Sequence, residues 1–128
     1  MTEASPDPGS LLPMSPAHMH VLMALADGEK HGYAIMREVE AMTEGAVTMG
    51  PGTLYGAIKR MLNLGLVAET DERPDPELDD ERRRYYEATG FGFRVLSAET
   101  ARLQQLVTVA ATKRIQPAPA FRPGATSA

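Results

Sequence analysis

The feature that most constrains this chain is a helical segment at residues 50–65, with a helix-starting Pro51 and a helix-ending Gly65. At about 100° per residue, its apolar side chains fall on one stripe: Leu54, Ala57, Ile58, Met61, Leu62 and Leu64. The opposite face carries no carboxylate: its residues are Thr53, Tyr55, Gly56, Lys59, Arg60 and Asn63. The segment therefore predicts an amphipathic helix whose polar face is either simply solvated or contacts an anionic partner.

The composition of the chain limits the number of domains and the kinds of functional site that it can contain. Its 128 residues predict one small domain with a single core. The chain has no cysteine, which excludes disulfides, thiolate metal sites and cysteine nucleophiles. No nucleophile elbow, phosphate loop or metal-ligand cluster is visible, so we expect neither an enzyme, a cofactor nor a metal site. No signal pattern and no membrane-length apolar run is seen, which favours a cytoplasmic protein without membrane contact.

The charges are segregated along the chain. The net charge is −4, so binding to nucleic acid would require local concentrations of cations. Lys59 and Arg60 form one cationic patch, and residues 82–84 form another with three arginines. Seven carboxylates are concentrated in residues 71–81, directly before the second patch.

The hydrophobic pattern divides the chain into a folded middle and two disordered ends. Residues 1–15 and 115–128 are rich in Pro, Gly and small residues and predict a disordered arm and tail. Helices are predicted from Pro16 to before Asp27 and over residues 31–43, which makes a helix-turn-helix with the helix at 50–65. Strands at residues 66–70 and 83–89, separated by a proline-containing acidic loop, predict a β-hairpin, or wing.

A long helix is predicted after the wing, ending near residue 114. Its apolar stripe exceeds what a small core can cover, which favours pairing with a second copy of the chain. The alternative is an amphipathic helix that folds back onto its own domain. The residues expected to mediate dimerisation are Val95, Leu96, Leu103, Leu106, Val107 and Ala110.

An ordered set of motifs carries a resemblance to a known family. The motifs are HGY at 31–33, PGTLY at 51–55, KR at 59–60, GLV at 65–67 and RYY at 84–86. Over about residues 16–103 the chain resembles the PadR family of transcriptional regulators, and its single helix after the wing is similar to the smaller PadR subgroup. The resemblance implies a mainly α protein with a small β-hairpin: a winged helix-turn-helix at residues 16–89 and a dimerisation helix at 90–114.

The resemblance also implies a function. A protein of this kind would be a sequence-specific repressor that binds an inverted-repeat DNA operator as a homodimer and is often released by a small molecule. The helix at 50–65 would enter the major groove, and the hairpin would follow the backbone. The DNA-binding residues so implied, together with the neighbouring cations, are Tyr33, Thr53, Tyr55, Lys59, Arg60, Asn63, Arg82, Arg83 and Arg84.

Two departures from the family pattern leave alternatives open. The acidic wing tip would repel phosphates, so we expect the arginines at the base of the wing to make the DNA contact. The acidic tip also favours an alternative function, a protein-interaction module that has lost DNA binding. The chain lacks the tryptophan that some relatives use to stack ligands, so a small hydrophobic effector would need another pocket. The candidate lining is Met14, Met19, Met23, Phe91 and Phe93. Tyr33 is predicted either to reach a phosphate or to pack its ring on the core.

Overall fold

The computed structural model describes residues 7–70 and 84–119. The acidic stretch at 71–81, with Arg82 and Arg83, lies outside the described residues. The elements within them are α1 (Pro16–Ala24), β1 (Lys30–His31), α2 (Gly32–Met42), α3 (Pro51–Asn63), β2 (Val67–Glu69), β3 (Tyr85–Ala88) and α4 (Gly90–Thr112). This architecture confirms the predicted class, a mainly α winged helix with a long C-terminal helix.

The core lies where the three helices of the helix-turn-helix meet the first half of α4. α2 and α3 bury the stripes that their helical periodicity predicts, including Ile35 and Ile58. On α1, Leu22 is buried but Met23 is exposed, so helical spacing did not predict the buried face of this helix. The apolar stripe of α3 is buried at Leu54, Ala57, Ile58 and Met61, while Leu62 and Leu64 are half-buried. Burial of this stripe points the opposite face of α3 outward.

The end of α3 is set by Gly65, as its sequence position predicts. Gly65 has φ +78°, its N–H donates to the Leu62 carbonyl at 3.1 Å, and the Leu66 N–H donates to the Met61 carbonyl at 2.9 Å. These two bonds form a Schellman motif, which a residue in the left-handed conformation closes. The turn directs Leu66 into the core and begins the wing.

The wing hairpin is the predicted pair of β2 and β3, with Val67 opposite Ala88. A third strand that periodicity did not reveal, β1, pairs with the other edge of β3, with Lys30 opposite Tyr86. Two residues are too few to show an alternating pattern, so only the tertiary pairing identifies β1. Tyr86 is buried and Tyr85 is half-buried, as alternation across a strand requires.

The long helix α4 begins at a cap that ties it to the end of α3. The Thr89 hydroxyl accepts from the Gly92 N–H at 2.9 Å and donates to the Gly65 carbonyl at 2.6 Å. Gly92 is buried directly against the Leu66 carbonyl. The first turn of α4 therefore packs directly against the turn that follows α3.

The two halves of α4 differ in their surroundings. Val95 and Leu96, predicted as dimer contacts, instead lie in the core of the chain itself, because the first half of α4 packs on α1. The second half carries the remaining predicted dimer contacts. Leu106 and Val107 are 53% and 52% exposed, and Leu103 and Ala110 are partly exposed. The second half thus carries apolar surface that the other described residues do not cover.

The N-terminal segment at residues 7–15, which we call the strap, differs from the disordered arm that its composition predicts. Pro8–Leu11 forms a 3₁₀ helix capped by the Asp7 carboxylate. Leu11, Leu12 and Met14 pack against the core, and the Met14 N–H donates to Glu99 Oε2 at 3.1 Å. Three apolar side chains and one buried acceptor order a segment whose composition alone favours mobility.

The acceptor that holds the strap is the buried carboxylate of Glu99, which is only 2% exposed. Arg102 donates to both of its oxygens, at 2.6 and 2.9 Å. The hydrogen bonds from Arg102 lower the pKa of Glu99 below its ordinary value of 4.5. Because its pKa is lower in the folded state, Glu99 contributes stability above pH 4.5 that is lost as the pH falls through the lowered pKa.

We expect Glu99→Gln to lower the free energy of unfolding at pH 7 by roughly 1–3 kcal/mol, because charged hydrogen bonds are lost in a buried site. The difference from the parent protein should shrink as the pH falls below 4.5. Urea unfolding between pH 7 and pH 3 measures both effects. Glu87→Gln, at an exposed strand position, is the control and should change little. A difference that stayed constant down to pH 3 would contradict the role of the Glu99 charge.

Candidate nucleic-acid interface

The outer face of α3 is a continuous polar surface. All six residues predicted on this face are exposed: Thr53, Tyr55, Gly56, Lys59, Arg60 and Asn63. No carboxylate lies on α3, and Lys59 forms no ion pair with a described residue. The cationic charge of this face is therefore open to solvent.

The start of α3 adds backbone donors to the same face. Gly50 occupies the N-cap position and provides no side-chain hydrogen bond to the helix. The first N–H groups of the helix therefore lack an intrahelical or capping partner, and the helix dipole places partial positive charge there. An anion lying along this face could be contacted by these groups together with Thr53.

Tyr55 connects this face to the start of α2. Its ring lies over Gly32, so closely that a Cβ atom on Gly32 would stand 2.7 Å from Tyr55 Cζ. Only glycine at position 32 permits this approach. Tyr55 is nevertheless 47% exposed, so its orientation is set by α2 while part of its ring faces outward.

Tyr33, in the first turn of α2, lies outside the core with 53% of its surface exposed. Its ring stacks at 6.5 Å on His31, which caps α2 by accepting from the Ala34 N–H at 3.2 Å. The Arg37 guanidinium lies 5.5 Å from the centre of the Tyr33 ring. Core packing, one of the two alternatives for Tyr33, is therefore not what the structure shows.

Arg37 is a cation that the sequence reasoning missed. It is exposed and lies one helical turn after Tyr33, on the same side of α2. The four-residue spacing between an aromatic residue and an arginine was the available signal, since it allows a cation–π contact on a helix. The structure thus adds the Arg37 guanidinium, in contact with the ring of Tyr33, to the candidate DNA-binding residues.

Arg60 lies at a different edge of the α3 face, toward α1. Burial lowers the pKa of His18 on α1, and the charge of Arg60 lowers it further. Arg60 therefore lies near α1, whereas Tyr33 lies in the first turn of α2. Arg84, at the base of the wing, pairs with Glu69 Oε2 at 3.3 Å, which offsets part of its charge. The other two predicted wing cations, Arg82 and Arg83, are outside the described residues.

The residues predicted to line one effector pocket do not come together. Met23 and Phe93 line an apolar hollow of about 520 Å³ between α1 and α4. Met14 lies in the strap and lines a separate hollow, while Met19 and Phe91 are partly buried against the core. Helical spacing placed these residues on apolar faces but could not show that the faces point to different hollows.

No group of three or more histidine, aspartate or glutamate side chains is placed to hold a metal ion within residues 7–70 and 84–119. Among the described helices, none combines the length and apolar character needed to cross a membrane.

The chain is similar to known proteins in both sequence and structure. Residues 21–98, more than half of the chain, match the model of the transcriptional regulator PadR-like family. A PadR family transcription regulator from Clostridium difficile is similar in structure, with a TM-score of 0.63 and 22% identity over 78% of this chain and 99% of that one. A PadR-like transcription factor from Bacteroides fragilis gives a TM-score of 0.62 and 20% identity over 83% and 91%. At these identities the structural likenesses show the fold alone.

A curated relative is an uncharacterised 37.1 kDa protein in a transposon of Streptomyces fradiae. It is 46% identical over 57 residues, which are 44% of this chain and 16% of that protein. The match therefore spans only a small part of the relative's length.

Proposed function

Because the chain belongs to the PadR-like family of transcriptional regulators, we propose that it is a repressor that binds an inverted-repeat operator as a homodimer. The observation that carries this proposal is the outer face of α3, which is exposed, cationic and free of carboxylates. In a winged helix, the corresponding helix is the one that enters the major groove. The rest of the fold presents this face by burying its opposite stripe.

The residues of this face suit the two kinds of contact that duplex DNA offers. Lys59 and Arg60 can meet phosphates or guanine edges, and Thr53 and Asn63 can donate to phosphate oxygens or bases. Tyr33 and Arg37 are exposed on α2, whose start contacts Tyr55 of this face at Gly32, and a hydroxyl and a guanidinium there can meet the backbone. In this proposal, α3 reads the groove and α2 positions the protein.

The second half of α4 supports the homodimer. Leu106 and Val107 are exposed on the same turn of the helix, and Ile115 beyond its end is also exposed. A second copy that packed along this half would cover an apolar surface that the chain's own core does not reach. Residues 90–114 would then form the dimerisation segment and residues 16–89 the DNA-binding domain. The two α3 helices would meet half-sites about 10 base pairs apart, or a multiple of that spacing.

The proposal is tested by measuring binding of the purified protein to its own upstream DNA and to a scrambled duplex of equal composition, at several salt concentrations. We expect preference for the upstream DNA and an affinity that falls steeply with salt, because cations displace counterions from phosphates. Footprinting would then show two symmetric protected half-sites.

Three kinds of result would contradict parts of this proposal. Absence of binding to either duplex at low salt would favour a winged helix that binds protein instead of DNA. A footprint with a single half-site, or a monomer in analytical ultracentrifugation, would refute the dimer. A reporter assay in which loss of the protein lowers transcription would refute repression.

A further inference from the structure

The backbone at Gly32, the first residue of α2, does not require a glycine. Gly28, Gly45 and Gly65 have positive φ angles, which favour glycine, whereas Gly32 does not. Gly32 begins a helix, where alanine is the better residue because it loses less conformational entropy. What a glycine provides at this position is therefore space for a neighbouring group.

That space is filled by one side chain, Tyr55 of α3. A Cβ atom at position 32 would overlap the Tyr55 hydroxyl oxygen and lie 2.7 Å from its Cζ and 3.1 Å from its Cε1. These three nearest atoms all belong to Tyr55, and all are at the hydroxyl end of the ring. We call this contact between Gly32 and the Tyr55 ring the seat. A methyl group in the seat would displace the ring and leave the backbone in place.

The seat is fixed on the α2 side by the sheet and by a helix cap. The two residues of β1, which directly precede Gly32, pair with β3. His31 also caps α2 by accepting from the Ala34 N–H at 3.2 Å. On the α3 side, a tyrosine on a helix has two common χ1 rotamers. The seat holds the ring in one of them, and an occupied seat would drive it toward the other.

The seat places the Tyr55 hydroxyl on a different helix from its own backbone. Tyr55 belongs to α3, yet its hydroxyl lies against the first turn of α2, and 47% of the residue remains exposed. In a helix-turn-helix bound to DNA, the second helix lies in the major groove while the first crosses the phosphate backbone. A hydroxyl that rests on α2 is therefore placed toward the phosphates and away from the base edges.

We propose that Gly32 is a positioning residue for DNA binding, because its missing side chain holds the Tyr55 hydroxyl where it donates to a backbone phosphate. Since this contact lies in the proposed DNA interface, the assignment rests on the proposed function. Phosphate contacts orient a protein on the duplex but carry no sequence information directly. The seat therefore contributes affinity for any duplex, and the choice of sequence falls to other residues of the α3 face.

The test measures binding of full-length variants to the upstream DNA and to the scrambled duplex by fluorescence anisotropy. Gly32→Ala should weaken binding to both duplexes about tenfold and leave the ratio of the two affinities unchanged. Tyr55→Phe, which keeps the ring and removes the hydroxyl, should show the same loss. Parent-like binding of either variant, or a changed ratio of affinities in Gly32→Ala, would overturn the assignment.

Gly90→Ala is the matched control, because Gly90 is the first residue of α4 as Gly32 is of α2, and a Cβ there meets no atom closer than 3.7 Å. It should bind both duplexes like the parent protein. A double variant then separates positioning from a general effect on α2. Once Tyr55→Ala has removed the ring, adding Gly32→Ala should cause no further loss, whereas a merely structural role of Gly32 would make the two losses add.

The seat can also be observed without DNA. Nuclear Overhauser effects between the Gly32 α-protons and the Tyr55 ring protons are expected in the free protein, and their absence would refute the seat. The DNA measurements distinguish the two proposals. If the parent protein binds neither duplex, the proposed function fails and the phosphate contact fails with it. If the parent binds and Gly32→Ala binds equally well, the role of Gly32 is refuted and the proposed function stands.

Discussion

Replacing Gly92 by alanine should lower the free energy of unfolding by about 2–3 kcal/mol, the largest effect on stability that we expect from adding one methyl group. The added Cβ atom would overlap the Leu66 carbonyl oxygen and lie 3.1 Å from the carbonyl carbon and 3.3 Å from Leu22 Cδ2. Two of these three atoms are backbone, so a rotamer change cannot relieve the overlap. Either the first turn of α4 or the turn after α3 must move.

Gly90→Ala is the matched control for this prediction, because it places the same methyl group in the same helical turn. The nearest atom to a Cβ at position 90 is Arg94 Nη1, at an ordinary 3.7 Å. We expect this variant to keep the stability of the parent or to raise it by up to about 1 kcal/mol, since alanine is better than glycine in a helix. Chemical denaturation followed by circular dichroism measures both variants. Equal stability of the two would show that α4 does not depend on the close approach to Leu66.

Replacing Lys59 by alanine should reduce affinity for the operator about tenfold or more and lower the salt dependence of binding by about one counterion. Lys59 is exposed at the centre of the α3 face and forms no ion pair with a described residue, so its charge is available to a phosphate or a base. The side chains on the opposite stripe of the helix are the ones that pack in the core. The fold should therefore survive the substitution, and the loss should appear in binding alone.

Lys113→Ala serves as the control for Lys59, because it removes the same charge at an exposed position just beyond α4. Fluorescence anisotropy with labelled operator, repeated at several salt concentrations, gives both the affinity and its dependence on salt concentration. If Lys59→Ala bound the operator with the affinity and the salt dependence of the parent protein, the DNA contact would lie elsewhere. Equal losses in both variants would mean that only net charge matters.

The α3 helix shows why one part of the molecule was predictable from the residues. Pro51 and Gly65 act on the backbone next to them, and the Schellman bonds around Gly65 join residues within one turn. The spacing from Leu54 to Met61 places one stripe inward, which leaves Lys59 and Arg60 outside. Local bonds and helical geometry depend only on neighbouring residues, so the sequence is sufficient to predict them.

The strap and β1 show the opposite case. Residues 7–15 have the composition of a mobile arm, yet Glu99, 85 positions away from Met14, orders them. The two-residue β1 exists because β3 pairs with it on one side while pairing with β2 on the other. No periodicity within either segment indicates these partners.

The sequence by itself determined the helical elements, the inward stripes of α2 and α3, the exposed cationic face of α3 and the stop at Gly65. Only the tertiary structure decided that Val95 and Leu96 belong to the chain's own core and that the predicted effector residues face different hollows. The physical reason is the range of the interactions. Periodicity and capping act over one or two turns, whereas a cavity or a buried carboxylate is formed by residues that only folding brings together.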